Sequence, residues 1–140
     1  MLNRSLLKHS FFLIITIGIL DIIGAVFYLH WAVWWFDTIL HFLGGAWVSI
    51  TVLMLFHDKL DLNESNKLKI IGFVVLSVFI VGLLWEVFEV CFGITFFNDG
   101  PIYLIDTISD LILDICGGFF ASLYSIKIMR KSLDSIVPKV

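Results

Sequence analysis

Asp106, Asp110 and Asp114 recur every fourth residue inside an otherwise apolar run. At 3.6 residues per turn they line one side of a helix, about 6 Å apart in rise. Other apolar segments carry groups of the same kind: Asp37 and His41 at i,i+4, Glu86 and Glu89 at i,i+3, and a lone Asp21. Ionisable side chains within membrane-length apolar segments are costly and mark functional sites. Several carboxylates with one imidazole form a donor set for a divalent ion, with Zn, Mn, Fe or Mg all compatible. The stripe contains no cysteine, which argues against a thiolate site. The expected ligands are Asp37, His41, Glu86, Asp106 and Asp110. Glu89, one turn from Glu86, is the expected general base, with Asp21 and Asp114 as further members of the polar cluster.

The charge balance sharpens this reading. Seven carboxylates (Asp21, Asp37, Glu86, Glu89, Asp106, Asp110, Asp114) lie in or near the apolar segments, and no Lys or Arg lies between Lys8 and Lys59 or between Lys69 and Lys127. Buried like charges repel, and desolvation disfavours the ionised form. Salt bridges to basic side chains give no relief. Three remedies remain: protons shared among the carboxyls, a cationic His41, or a bound metal. Acids and a His facing inward from several helices of a four-helix bundle are how carboxylate metal sites are built.

The elements that must position these groups follow from hydropathy. Of the 140 residues 60% are hydrophobic and only 15% charged, against about 25% charged in a soluble domain. The expectation is one all-α integral membrane domain, a four-helix transmembrane bundle with spans near 10–29, 34–56, 70–92 and 104–126. The first span follows a short basic start but is long, holds Asp21 and lacks a clear cleavage site, so it reads as a retained helix rather than a signal peptide. Tyr28, Trp31, Trp34 and Trp35 read as an interfacial aromatic belt, and His30 as a polar group of that interface. Residues 57–69 form the hydrophilic loop, and Asn98-Asp-Gly-Pro101 a turn. Gly44 and Gly45, Gly82, and Gly117 with Ala121 extend the polar faces with small residues that permit close packing in lipid. Cys91 and Cys116 read as small buried apolar residues.

All nine basic residues fall at the N-terminus, in the middle loop or at the C-terminus. The positive-inside rule then places both termini in the cytoplasm. His41, Glu86, Glu89, Asp106 and Asp110 come to similar depths in the outer half, with Asp114 deeper, about 15 Å below the outer end of its helix. Segments distant in sequence thus bring acids to one slab.

Asp37-Thr-Ile-Leu-His41-Phe-Leu-Gly44, Glu86-Val-Phe-Glu89 and Asp106-Thr-Ile-Ser-Asp110 with Gly117-Gly118, taken in order, resemble the YjdF-like group of small bacterial membrane proteins. More distantly the chain is similar to VanZ-like proteins, although Thr38 stands where those usually carry Lys. The resemblance spans about residues 36–124 and omits Asp21 and Asp114. It implies a polytopic helical fold in the bacterial plasma membrane, and supplies architecture rather than activity.

Three functions fit these residues. One is a metal-dependent hydrolase acting on a lipid or envelope substrate from the outer leaflet. Another is a proton- or cation-coupled carrier, for which four helices require a homo-oligomer. The last is a non-catalytic accessory protein of the membrane. The lipid bilayer is the expected partner in each case, and nothing suggests nucleic acid: the net charge is -3, with no aromatic-basic pattern.

Overall fold

The computed structural model describes residues 4–94 and 100–134. Asn98 and Asp99 of the expected turn, and the tail with Pro138 and Lys139, lie outside the described residues, as do the side chains of Trp31 and Trp34. Among these residues five α-helices follow in order: α1 (Arg4–Val26), α2 (Leu29–Ala32), α3 (Trp34–Leu55), α4 (Lys67–Phe92) and α5 (Pro101–Asp134). Among the described residues there is no strand, and α1, α3, α4 and α5 are each long and apolar enough to cross a membrane.

α3 is the central helix. It packs most extensively on α5 and also touches α1 and α4. α1 lies at the periphery, with Phe11, Phe12, Ile22 and Val26 exposed in the manner of lipid-facing side chains. α5, at 34 residues, spans about 51 Å and exceeds a hydrocarbon core of about 30 Å. Its C-terminal turns, with Lys127, Arg130 and Lys131, are of the composition that ends a span in the headgroup region.

Local chemistry sets the helix ends. Gly93 closes α4 in the left-handed region (φ 69°), its N–H donating to the carbonyls of Glu89 and Val90. Pro101 is the first residue of α5, where its missing N–H costs nothing. Tyr28 adopts φ 57°, a conformation unusual for a side chain other than glycine, and separates α1 from the single turn of α2. Between α3 and α4, two short 3-10 turns (His57–Lys59 and Glu64–Asn66) form a solvated loop. There Asp61 accepts from Asn63 N–H (3.3 Å) and from Asn66 Nδ2 (2.8 Å).

The α3–α5 seam is built on glycine. A Cβ at Gly45 would run into the backbone carbonyl of Asp114, and one at Gly117 into the carbonyl of Phe42. Only hydrogens fit there, so the two backbones approach closely, as small residues allow in lipid. The interior has two ends. Leu6, Ile50, Leu53, Ile70, Ile71, Val74, Val78, Ile126 and Met129 form an apolar core at the end nearest the basic residues. The other end is cored by buried His41, Glu86, Glu89, Asp110 and Asp114. Of the two cysteines, Cys116 is half-buried, but Cys91 is exposed on α4, so it is not the buried residue its composition suggested.

Candidate metal centre

His41, two turns into α3, is the hub of the polar end. Its Nε2 lies 3.7 Å from Asp37 Oδ2 and 3.9 Å from Asp110 Oδ2, and its Nδ1 lies 3.4 Å from Asp114 Oδ2. One imidazole thus meets three carboxylates from two helices. The i,i+4 spacing on α3 supplies Asp37, and the same spacing on α5 supplies Asp110 and Asp114. Asp37 also sits in the first turn of α3, where the helix dipole favours a negative charge.

Asp114 is seated where three helices meet. A Cβ at Gly82 of α4 would stand 2.5 Å from its Oδ2, and one at Gly44 of α3 would stand 3.9 Å from its Oδ1. Gly45 takes its backbone. The glycines of α3 and α4 therefore leave the space that the Asp114 side chain fills, which fixes it against the Nδ1 side of His41.

Asp37, His41 and Asp110 each present one ligand atom, and these atoms lie within 4.8 Å of one another. Two ligand atoms each about 2.1 Å from a common ion can stand up to about 4.2 Å apart. The 3.7 and 3.9 Å separations from Nε2 fall within that limit. Metal-ligating histidines present one nitrogen to the ion and back the other with a carboxylate. His41 has that arrangement, with Nε2 facing Asp37 and Asp110, and Nδ1 against Asp114.

The other expected site residues are placed differently. Asp106 is exposed and lies outside the three-residue group. The reason is rotational: four residues advance a helix by about 400°, so each step of the 106-110-114 series turns about 40° further round α5. Glu86 is buried but is also outside the group. Its Oε2 accepts from Thr107 Oγ1 at 2.7 Å, while its Oε1 is buried with no hydrogen-bond partner among the described residues. Glu89 is buried and accepts from the indole N–H of Trp85 at 2.9 Å through Oε1. Asp21 is exposed, with two-thirds of its side chain accessible, and lies 3.5 Å from His30 Nε2. It does not reach His41 directly, because α1 is peripheral.

Sequence reasoning missed two sets of residues. Thr107 and Trp85 hold the α4 glutamates but carry no periodic signal that separates them from lipid-facing neighbours. His30, read only as a polar group of the interface, bridges two acids: its Nδ1 lies 3.4 Å from Asp37 Oδ1 and its Nε2 3.5 Å from Asp21 Oδ1. The signal available was its position in a short linker between two acid-bearing helices.

Comparison with known proteins adds a family but no activity. No curated protein and no solved structure matches the chain. The resemblance to VanZ-like proteins finds no support there, and that to the YjdF-like group holds only at the level of a membrane protein family. A family described as "Predicted membrane protein (DUF2238)" matches residues 3–131, from the start of α1 to the last turn of α5, and the chain belongs to that family.

Proposed function

We propose that the polar end of the bundle binds a divalent metal ion through Asp37, His41 and Asp110, and uses it to hydrolyse a lipid or envelope substrate. The observation that carries the first half is the convergence of these three ligand atoms within 4.8 Å, with Asp114 behind the imidazole. No Lys or Arg of the sequence lies in these parts of the spans, and one imidazole faces three carboxylates at His41, so a metal is a cation suited to neutralise the cluster. Three protein ligands leave room for water on a Zn-, Mn-, Fe- or Mg-type ion, and such an ion lowers the pKa of bound water and polarises the scissile group.

Glu89 is the residue we assign as general base, and Glu86, with one oxygen of its buried carboxylate unpartnered among the described residues, would be a further ligand for the ion or a hydrogen-bond acceptor for its water. Asp106, being exposed, is better suited to meet a substrate than to ligate the ion. An anionic headgroup would be held by the metal, since no Lys or Arg is at hand. With the termini cytoplasmic, the site opens toward the outer leaflet of the bacterial plasma membrane.

Metal analysis of the protein purified in detergent, with Asp110→Asn as control, tests the reading. Near-stoichiometric metal in the wild type and its loss in the variant are expected. Absence of any divalent ion after reconstitution with each candidate metal rejects it.

A proton-coupled carrier is the second reading. The observation in its favour is a string of alternating acids and imidazoles, Asp21, His30, Asp37 and His41, with neighbours 3.4 to 3.7 Å apart. Equal proton flux into liposomes bearing wild type or His41→Ala removes it.

A further inference from the structure

We propose that His30 is a positioning residue for the metal centre: it clamps the outer oxygen of Asp37, so that the inner oxygen faces His41. The inference rests on the metal-binding reading of the preceding section. The Asp37 carboxylate is split between two imidazoles. Its Oδ1 lies 3.4 Å from His30 Nδ1, and its Oδ2 lies 3.7 Å from His41 Nε2. Asp21 stands behind the clamp, its Oδ1 3.5 Å from His30 Nε2. The order is carboxylate, imidazole, carboxylate, then the centre itself. A carboxylate ligand held by one oxygen has lost its freedom to rotate about χ2, and the entropy of fixing it is no longer charged to metal binding.

The place His30 occupies is built for it. Gly24 lies on α1 one turn beyond Asp21, and a Cβ there would stand 2.5 Å from His30 Nε2 and 2.5 Å from Phe36 Cε1. Gly24 is itself buried although α1 is otherwise largely exposed. The ring of Phe36 meets the imidazole edge-on, with centroids 5.3 Å apart and planes at 88°. The imidazole is thus bounded by Asp21 and Gly24 of α1 and by Phe36 and Asp37 of α3.

The connection between α1 and α3 accounts for how His30 gets there. The left-handed turn at Tyr28 ends α1 and starts the single turn of α2, and Val33, in an extended conformation, separates α2 from α3. A continuous helix from α1 would carry residue 30 beyond the end of the bundle. The break folds it back between the two helices instead. A strained φ at a non-glycine residue persists where surrounding contacts over-determine it, and such positions cluster at functional sites.

The experiment is a Co2+ titration of the full-length protein in detergent micelles, read by the visible absorption of the bound ion, for wild type, His30→Ala, His30→Gln, Asp21→Asn and Gly24→Leu. A partner that orients a ligand is worth about 10- to 100-fold in metal affinity. His30→Ala is expected to weaken Co2+ binding by that factor and to shift the absorption band, because Asp37 can then reorient. His30→Gln, whose amide N–H can still reach Asp37, should recover most of the affinity. Gly24→Leu keeps every polar group but displaces the imidazole, so it should resemble His30→Ala. Asp21→Asn should show a smaller loss.

Wild-type affinity and an unshifted band in both His30→Ala and Gly24→Leu overturn the clamp while leaving the metal site standing. Failure of the wild type to bind Co2+ at all overturns the metal reading and the clamp with it. Should His30→Ala or Gly24→Leu not fold, Asp21→Asn decides. It alters an exposed side chain, and an unchanged affinity and band there reject the arrangement.

Discussion

The two ends of this bundle are made from the same four long helices and are built on opposite principles. At the basic end Leu53, Val74, Val78, Ile126 and Met129 are almost wholly buried and interlock as an apolar core. At the other end the space between the helices is taken by His41, Asp110, Asp114, Glu86 and Glu89. Apolar side chains in lipid gain little from transfer, since the surrounding tails are equally apolar, so the first end is held by packing. The second end accepts desolvated carboxylates, and replacing such groups with apolar residues of equal volume is often neutral or stabilising. On the metal-binding reading proposed above, the comparison separates a half that holds the helices together from a half that uses the geometry so obtained.

Between them lies the glycine seam, and its disruption should affect both. Gly117→Leu forces a side chain into the Phe42 carbonyl and drives α5 from α3. Loss of monodisperse, cooperatively unfolding protein is the expected outcome, read by size-exclusion chromatography and thermal unfolding in detergent. A folded Gly117→Leu variant would mean that the two halves do not share one seam.

Next in size is Leu53→Ala, at the centre of the apolar end. A cavity there should cost about 2 kcal/mol or more, with Co2+ affinity within a few-fold of wild type. A large loss of metal affinity would break the division of labour. The counterpart is Asp110→Asn. It should abolish tight metal binding, a loss of about 100-fold or more, while apo-protein stability stays within about 1 kcal/mol or rises. Metal at 100 times its Kd should stabilise the wild type by about 2.7 kcal/mol and leave Asp110→Asn unmoved.

The smallest effect lies outside both halves. In the loop after α3 the exposed Asp58 accepts from His57 Nδ1 at 3.0 Å, and this hydrogen bond holds the Asp58 carboxyl below the usual aspartate range. A depressed carboxyl contributes stability above its unfolded pKa and loses it as pH falls through its folded value, so any contribution fades only in acid. Because the group is fully exposed, Asp58→Asn should leave thermal unfolding at neutral pH within experimental scatter. A clear shift would assign the loop a structural part that the geometry does not suggest.

Much of the candidate site was legible because its signals are local. The i,i+4 pairs Asp37–His41 and Asp110–Asp114 need only the pitch of one helix, and in the structure all three acids face the His41 imidazole. Asp106 belongs to the same series and is nevertheless exposed, because the 40° drift per four residues carries it off the face that α3 covers. Glu86 and Glu89 are buried as their stripe implied, yet Thr107 and Trp85 hold them, and those partners carry no pattern. Asp114, outside the motif resemblance, lies 3.4 Å from His41 Nδ1, and glycines on two other helices make room for it.

By itself the sequence determined the membrane class, the four long apolar helices and the stripes of acid on them, since hydropathy and helical period are properties of contiguous residues. Tertiary structure decided which acids meet one imidazole, that α1 stays at the edge, and that His30 turns back onto Asp37. Those outcomes depend on how each helix is rotated about its axis and on a left-handed break at Tyr28, and both are set by contacts between residues far apart in the chain.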